Sequence, residues 1–191
     1  MKKSIIKTAF IFAVTALFAV TLNSCDKGYS SAAFGYNYIY MPQATVSGGL
    51  NQNYSVPTGL DSATYNFQID SINHKLNVYL GVTVSGEQPN TGFTVKVTAN
   101  NDTTNQIIAG GSIANAVLLP DSIYTIPSSV TVPSGKHMAS FYLSINSTAL
   151  KAYSGKMALL TVQLSSPTNY VLNNIYSKTL VIINVSALNL K

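Results

Sequence analysis

From Lys75 to Val84 the chain alternates without a break: Leu76, Val78, Leu80, Val82 and Val84 are aliphatic, and Asn77, Tyr79, Gly81 and Thr83 stand between them. A period of two is the mark of a strand with one buried face, so the aliphatic set is expected to be core. The same rhythm returns in Gly92 to Ala99, with Phe93, Val95 and Val97 on one side. In Lys136 to Ile145 the set His137, Ala139, Phe141, Leu143 and Ile145 is expected to point inward, opposing Met138, Ser140, Tyr142 and Ser144. Lys156 to Ser165 alternates Met157, Leu159, Thr161 and Gln163 with Ala158, Leu160, Val162 and Leu164. Turn chemistry separates these stretches: Glu87-Gln88-Pro89-Asn90-Thr91-Gly92, Pro133-Ser134-Gly135 and Ser166-Pro167-Thr168-Asn169.

Shorter candidates fill the gaps. Tyr36, Tyr38 and Tyr40 alternate with Asn37, Ile39 and Met41 as far as Pro42, which ends or edges the strand. Thr45 to Gly59 is a loop by composition, with a short edge strand around Tyr54. Thr64 to Ile69, Ile123 to Ile126 and Ser129 to Val132 read as strands. Asn100 to Leu119 has no period of two; short helical turns are expected at Thr103 to Ile108 and Ile113 to Val117, and another at Ser147 to Ala152. In Tyr176 to Val185 the run Leu180-Val181-Ile182-Ile183 is apolar on both faces, as in a central strand. The pattern predicts an all-β sandwich of about seven to nine strands with one or two short helical turns, and its immunoglobulin-like form is what the family resemblance given below implies. The strands do not recur at a fixed length, which argues against a propeller or solenoid.

Ahead of this region lies a different kind of sequence. Lys2, Lys3 and Lys7 precede an apolar run from Thr8 to Leu22, the layout of an export signal and too short to read as a membrane span. Leu22-Asn23-Ser24-Cys25 resembles the lipobox of bacterial lipoproteins. That resemblance implies cleavage before Cys25, the one cysteine of the chain, and acylation of that residue. The expected organisation is a signal peptide over 1–24, a lipidated tether over 25–33 and a single sandwich domain over 34–191. The protein is then expected at the cell envelope as an outer-membrane lipoprotein, surface-exposed, with the membrane face not fixed by the sequence. Three of the 11 lysines fall in the signal, leaving 8 against 6 acids, and arginine is absent. Those 8 are scattered singly, so no basic stripe for nucleic acid exists.

Catalytic chemistry has few groups to draw on. The acids after the signal are Asp26, Asp61, Asp70, Asp102, Asp121 and Glu87, with Glu87 and Asp102 expected in turns, and nothing in their spacing selects a pair for acid–base work. His74 and His137 are the two imidazoles, expected in a surface turn and a strand, and neither has metal-ligand spacing. The chain is therefore expected to be no enzyme, with no catalytic residue, cofactor or metal site. Alternating tyrosines suit sugar stacking as well as cross-strand packing, and packing is favoured for Tyr36, Tyr38 and Tyr40. Asp61-Ser62-Ala63, Asp70-Ser71-Ile72, Asp102-Thr103-Thr104 and Asp121-Ser122-Ile123 each set an acid before a hydroxyl. Asx-turn and capping chemistry accounts for each one. The set also resembles the O-glycosylation motif of exported Bacteroidota proteins, which implies Ser62, Ser71, Thr103 and Ser122 as acceptors.

Tyr38-Ile39-Tyr40-Met41-Pro42-Gln43-Ala44, Leu118-Leu119-Pro120 with Tyr124, Val130-Thr131-Val132-Pro133-Ser134-Gly135-Lys136 and the closing Tyr170 to Val185 resemble an uncharacterised N-terminal, immunoglobulin-like domain family of Bacteroidota surface lipoproteins. Members of that family stand ahead of glycan-binding or endoglycosidase-like modules encoded in glycan-utilisation loci. This chain stops where the family's domain stops, so the resemblance implies a noncatalytic accessory or scaffold component in glycan binding and uptake. Its partners would be the membrane through its lipid, and glycan or other surface lipoproteins. The alternative is a structural or adhesive surface lipoprotein, fimbria-like or a protein-interaction subunit. The final third also resembles a Calx-beta repeat in rhythm but lacks its clustered acids, and no calcium site is expected.

Overall fold

The computed structural model describes residues 37–48, 53–58, 66–86 and 90–190, and these form two six-stranded sheets packed face to face. In the first, β1 (Tyr38–Tyr40), β4 (Lys75–Val84), β9 (Met138–Asn146), β7 (Tyr124–Thr125) and β11 (Val171–Leu172) lie in the order β11-β1-β4-β9-β7. The sixth strand, β3 (Phe67–Asp70), pairs with the beginning of β4. The second sheet has the order β2-β12-β10-β5-β8, formed by β2 (Asn53–Val56), β12 (Lys178–Asn184), β10 (Met157–Ser165), β5 (Phe93–Ala99) and β8 (Ser129–Val132). Its β6 (Ala116–Leu118) runs parallel to the start of β10.

The alternation in the sequence is the alternation of the fold. Leu76, Val78, Leu80, Val82 and Val84 of β4 and Phe141, Leu143 and Ile145 of β9 are buried against Val95, Val97, Leu160, Val162, Val181 and Ile183 of the other sheet. His137 departs from the inward set. It is exposed just before β9, and burial on that side starts with the half-buried Ala139. Strand β12 lies between β2 and β10, as its two-sided apolar run requires.

Twelve strands stand among the described residues, more than the alternation alone separates, because several are two- to four-residue edge pieces. Ile123 to Ile126 is one such case. A 3₁₀ turn takes Asp121–Ile123, and only Tyr124–Thr125 joins the sheet. The helix expected over Thr103 to Ile108 is α1 (Asn101–Ala109), with Asn100 Oδ1 capping the Thr103 N–H at 2.9 Å. Asp102 therefore sits in the first turn of a helix and not in a loop, where its charge favours the helix dipole. Ile113 to Val117 is not helical. The chain turns there and enters β6, because the open flank of β10 beside Met157–Leu159 offers backbone partners that a one-turn helix lacks. Ser147–Leu150 forms the four-residue α2, prolonged by a 3₁₀ turn over Lys151–Tyr153.

Between β3 and β1 one stretch of β4 has no strand beside it. Tyr79 N–H donates to Asn66 O at 2.9 Å, and Gly81 N–H donates to Gln43 Oε1 at 3.1 Å. Gln43 belongs to a 3₁₀ helix, Pro42–Gly48, which runs into the stretch expected to be loop from Thr45, and that helix closes over the outer face of β4 at Gly81.

One core position works against stability. Thr179 is fully buried opposite Val162, and its Oγ1 meets no hydrogen-bond partner among the described residues. Thr179→Val keeps the shape and removes an uncompensated polar atom, so it is expected to stabilise the fold by about 1 kcal/mol. A urea midpoint that rises supports this, whereas one that falls would show that the hydroxyl is satisfied.

Candidate functional site

Since the aliphatic residues of β4 and β9 face inward, their partners in the alternation must face out. The antiparallel register sets Lys75 opposite Asn146, Asn77 opposite Ser144, Tyr79 opposite Tyr142, Gly81 opposite Ser140 and Thr83 opposite Met138. The outer face is therefore a ladder of polar and aromatic pairs. Tyr142 is 50% exposed, and its ring centroid lies 5.3 Å from that of Tyr79 with the planes at 53°. One rung away, Ser144 Oγ donates to Asn77 Oδ1 at 2.7 Å, which orients the amide and leaves its NH₂ as a donor.

Two hollows flank this tyrosine pair. A groove of about 360 Å³ lies along β3, lined by Phe67, Gln68, Ile69 and Tyr79. A cleft of about 250 Å³ lies at the end of the sandwich where β4 begins, lined by Asn73–Lys75, Ser122–Thr125 and Ser144–Asn146. Its walls are fixed locally. Asp70 Oδ1 accepts from the backbone N–H of Ile72 and Asn73 at 3.1 and 3.0 Å, and Oδ2 accepts from Asn73 Nδ2 at 2.7 Å. This Asx arrangement turns the chain from β3 into β4. The Asn73 hydrogen bonds hold the Asp70 carboxyl below the usual carboxylate range. His74 takes the left-handed conformation at φ 52°, and its carbonyl receives Ser147 N–H at 2.9 Å. On the opposite wall, Tyr124 Oη donates to Asp121 Oδ1 at 2.7 Å. Burial, together with that carboxylate, pushes the Tyr124 phenol above the ordinary tyrosine range. Asn146 Oδ1 caps α2 through Ala149 N–H at 2.9 Å.

The residues singled out in the sequence are distributed as follows. Cys25 and Ser62 lie outside the described residues, as do Asp61 and Glu87 and the segments 1–24 and 25–33. Ser71 is exposed in the β3–β4 turn, Ser122 is exposed at the cleft, and Thr103 is half-buried in the first turn of α1. Asn101 Nδ2 donates to Asp121 Oδ1 at 3.3 Å, tying the start of α1 to the 3₁₀ turn that carries Ser122. Tyr40 packs against Tyr176, with centroids 6.4 Å apart, and is half-buried. Tyr38 is 38% exposed. Among the described residues no three His, Cys, Asp or Glu side chains converge as metal ligands, and no helix is long and apolar enough to cross a membrane. The tyrosine pair that sequence reasoning missed is Tyr79 and Tyr142. The signal was present in each strand, as an aromatic on the outward phase, but their meeting depends on register.

Known proteins place the chain as follows. In three solved structures from Bacteroides ovatus the same fold spans 76% of this chain. One is a candidate carbohydrate-binding protein (TM-score 0.53, 12% identity, 36% of that chain covered). The second is a protein of unknown function (TM-score 0.53, 17% identity, 46% covered). The third is a multidomain protein that includes a DUF1735 domain (TM-score 0.52, 12% identity, 43% covered). The chain thus spans less than half the length of each, and at these identities the likeness is one of fold. No curated protein sequence matches. Residues 35–171 match the model of a family described as a "-like, N-terminal domain". The match covers well over half of the sequence, and the chain belongs to this family of N-terminal domains.

Proposed function

We propose that this domain is a noncatalytic glycan-binding module of a lipid-anchored envelope protein, acting as an accessory in glycan capture. The observation that carries the proposal is the Tyr79–Tyr142 pair. Two tyrosine rings stand on the open face of a rigid sheet, with the Asn77 amide and the Ser144 hydroxyl one rung away. A sugar ring offers an apolar C–H face and a rim of hydroxyls, and an aromatic surface edged by amide and hydroxyl groups complements both. The side chains sit on paired strands, so little ordering entropy is lost on binding. One neighbour in fold is described as a candidate carbohydrate-binding protein, which accords with this role. Strand β1 joins β4 at Thr83 and Val84, the end opposite Lys75. The described chain thus enters the domain at the end of β4 about 30 Å from the cleft. Glycans on Ser62, Ser71 and Thr103 belong to the same proposal, whereas one on Ser122 would occupy the cleft itself, and intact-mass measurement of protein from its native envelope would reveal them.

Screening the folded domain on a glycan array, followed by calorimetry on the hits, tests the main claim. Tyr142→Ala removes half of the platform at an exposed position, and is expected to weaken binding about tenfold or more with an unchanged circular dichroism spectrum. A folded domain that binds no glycan, or a variant that binds as the parent does, would count decisively against it.

A further inference from the structure

The tyrosine pair and the cleft are not separate features, because the same ladder supplies both. Going from Tyr142 toward the end of β9, the outward side chains are Ser144 and then Asn146, and their β4 partners are Asn77 and Lys75. Strand β7 widens this row, with Thr125 opposite Ser144. Ser144, Asn146, Lys75 and Thr125 all line the cleft. The platform therefore runs into the cleft along one face, over four residues or about 14 Å, room for two or three hexose rings.

In the other direction the β4 side of the platform is covered. Beyond the tyrosines the next rung is Gly81 and Ser140; Pro42 lies over Gly81, its Cγ 3.6 Å from where a Cβ there would stand, while Ser140 stays exposed. A chain stacked on Tyr79 thus has its free path along β4 toward the cleft.

The polar groups along this path suit hydroxyls. Asn77 and Asn146 each commit their Oδ1 to the protein and keep an NH₂ donor, and the Ser144 and Thr125 hydroxyls lie beside them. The charges offset one another. Lys75 is paired in register with Asp70, and Asp121 stands behind Tyr124 at the opposite wall, with His74 at the turn. Among the described residues Lys75 and no carboxylate lines the cleft, but with Asp70 and Asp121 beside it the net charge there is not positive, so an acidic sugar gains no net attraction.

We infer that the tyrosine platform and the cleft are consecutive subsites for one linear, uncharged glycan lying along the β4–β9 ladder, with the glycan's end in the cleft. The inference rests on the glycan-binding proposal above and adds to it a direction, a length and a charge class.

Calorimetry with cello-, manno-, xylo- and malto-oligosaccharides of increasing length tests it on three proteins: the parent, Tyr142→Ala, and Thr125→Arg, which fills the cleft from an exposed position. For the matching series, affinity is expected to rise up to about three units and then level off. Thr125→Arg should remove that gain, about tenfold, the size of two ordinary hydrogen bonds, and leave the shortest ligand unaffected. Tyr142→Ala should weaken every length. The paired subsites are overturned, with the platform still standing, if Tyr142→Ala weakens binding while affinity is flat with length and Thr125→Arg changes nothing. If all four series fail but polygalacturonate binds in a Tyr142-dependent way, the uncharged class is overturned. If nothing binds, the glycan proposal falls too.

Discussion

Replacing Phe93 by alanine is expected to cost about 3–5 kcal/mol, lowering the thermal midpoint by roughly 10 °C or more. Phe93 is 2% exposed, opens β5 opposite Val132, and meets Tyr170 edge-on at 5.6 Å and 87°. The ring does more than fill volume. Tyr170 Oη donates to Thr91 O at 2.9 Å, Asn169 Nδ2 donates to Gly92 O at 2.8 Å, and Thr168 N–H donates to Thr94 O at 2.9 Å. The loop that follows β10 is thus laced to the start of β5 around this one side chain. A cavity there would release the edge contact as well as the buried area, and the neighbouring hydrogen bonds would loosen with it. Phe93→Leu should recover most of the loss. Chemical denaturation of the three proteins decides the matter. A loss below about 1.5 kcal/mol for Phe93→Ala would mean that the site collapses freely and the ring is not a keystone of the core.

Thr104→Val is expected to destabilise by about 2 kcal/mol although it changes hardly any volume. Thr104 is fully buried at the contact of α1 with β10. Its hydroxyl accepts Thr161 N–H at 2.9 Å and lies 2.9 Å from Thr161 Oγ1 and 3.1 Å from Asn100 O. Asn100 N–H in turn donates to Thr161 O at 2.8 Å, so one helical turn completes the backbone pairing of β10 where β5 leaves it. Valine would strand the buried Thr161 N–H. Serine keeps the hydroxyl, and Thr104→Ser should cost under 1 kcal/mol. Equal losses for the two variants would show that packing, and not the hydrogen bond, holds the helix to the sheet. Amide exchange at Thr161 separates these directly, since only the valine variant should expose it.

Much of the sandwich was legible in single strands. Leu76 to Val84 and Phe141 to Ile145 gave their inner faces from alternation alone, and Leu180 to Ile183 announced a covered strand. What stayed hidden was short or borrowed. Strand β7 has two residues, and β6 has three in a segment read as helix, because each owes its conformation to a neighbour's open flank. Gln43 is a similar case, since nothing in Pro42-Gln43-Ala44 says that an amide will stand in for a missing strand at Gly81. The family match ends at residue 171, yet β12, central to the second sheet, begins at Lys178. The domain therefore needs chain beyond the matched segment to close its core.

The sequence by itself determined the buried face of β4, and that of β9 from Phe141 on, for a reason that is local: a strand puts successive residues on opposite faces whatever it pairs with. It therefore already held Tyr79, Tyr142, Asn77 and Ser144 on outward positions. Only the tertiary structure decided that Tyr79 meets Tyr142, that Asn77 meets Ser144, and that both rungs run into the cleft walled by Ser122–Thr125. These residues are far apart in the chain, and their meeting is a matter of register between β4 and β9. A slip of one residue would turn every aliphatic side chain of β4 out of the core, so burial of Leu76, Val78 and Leu80 fixes the pairing of the exposed face behind them.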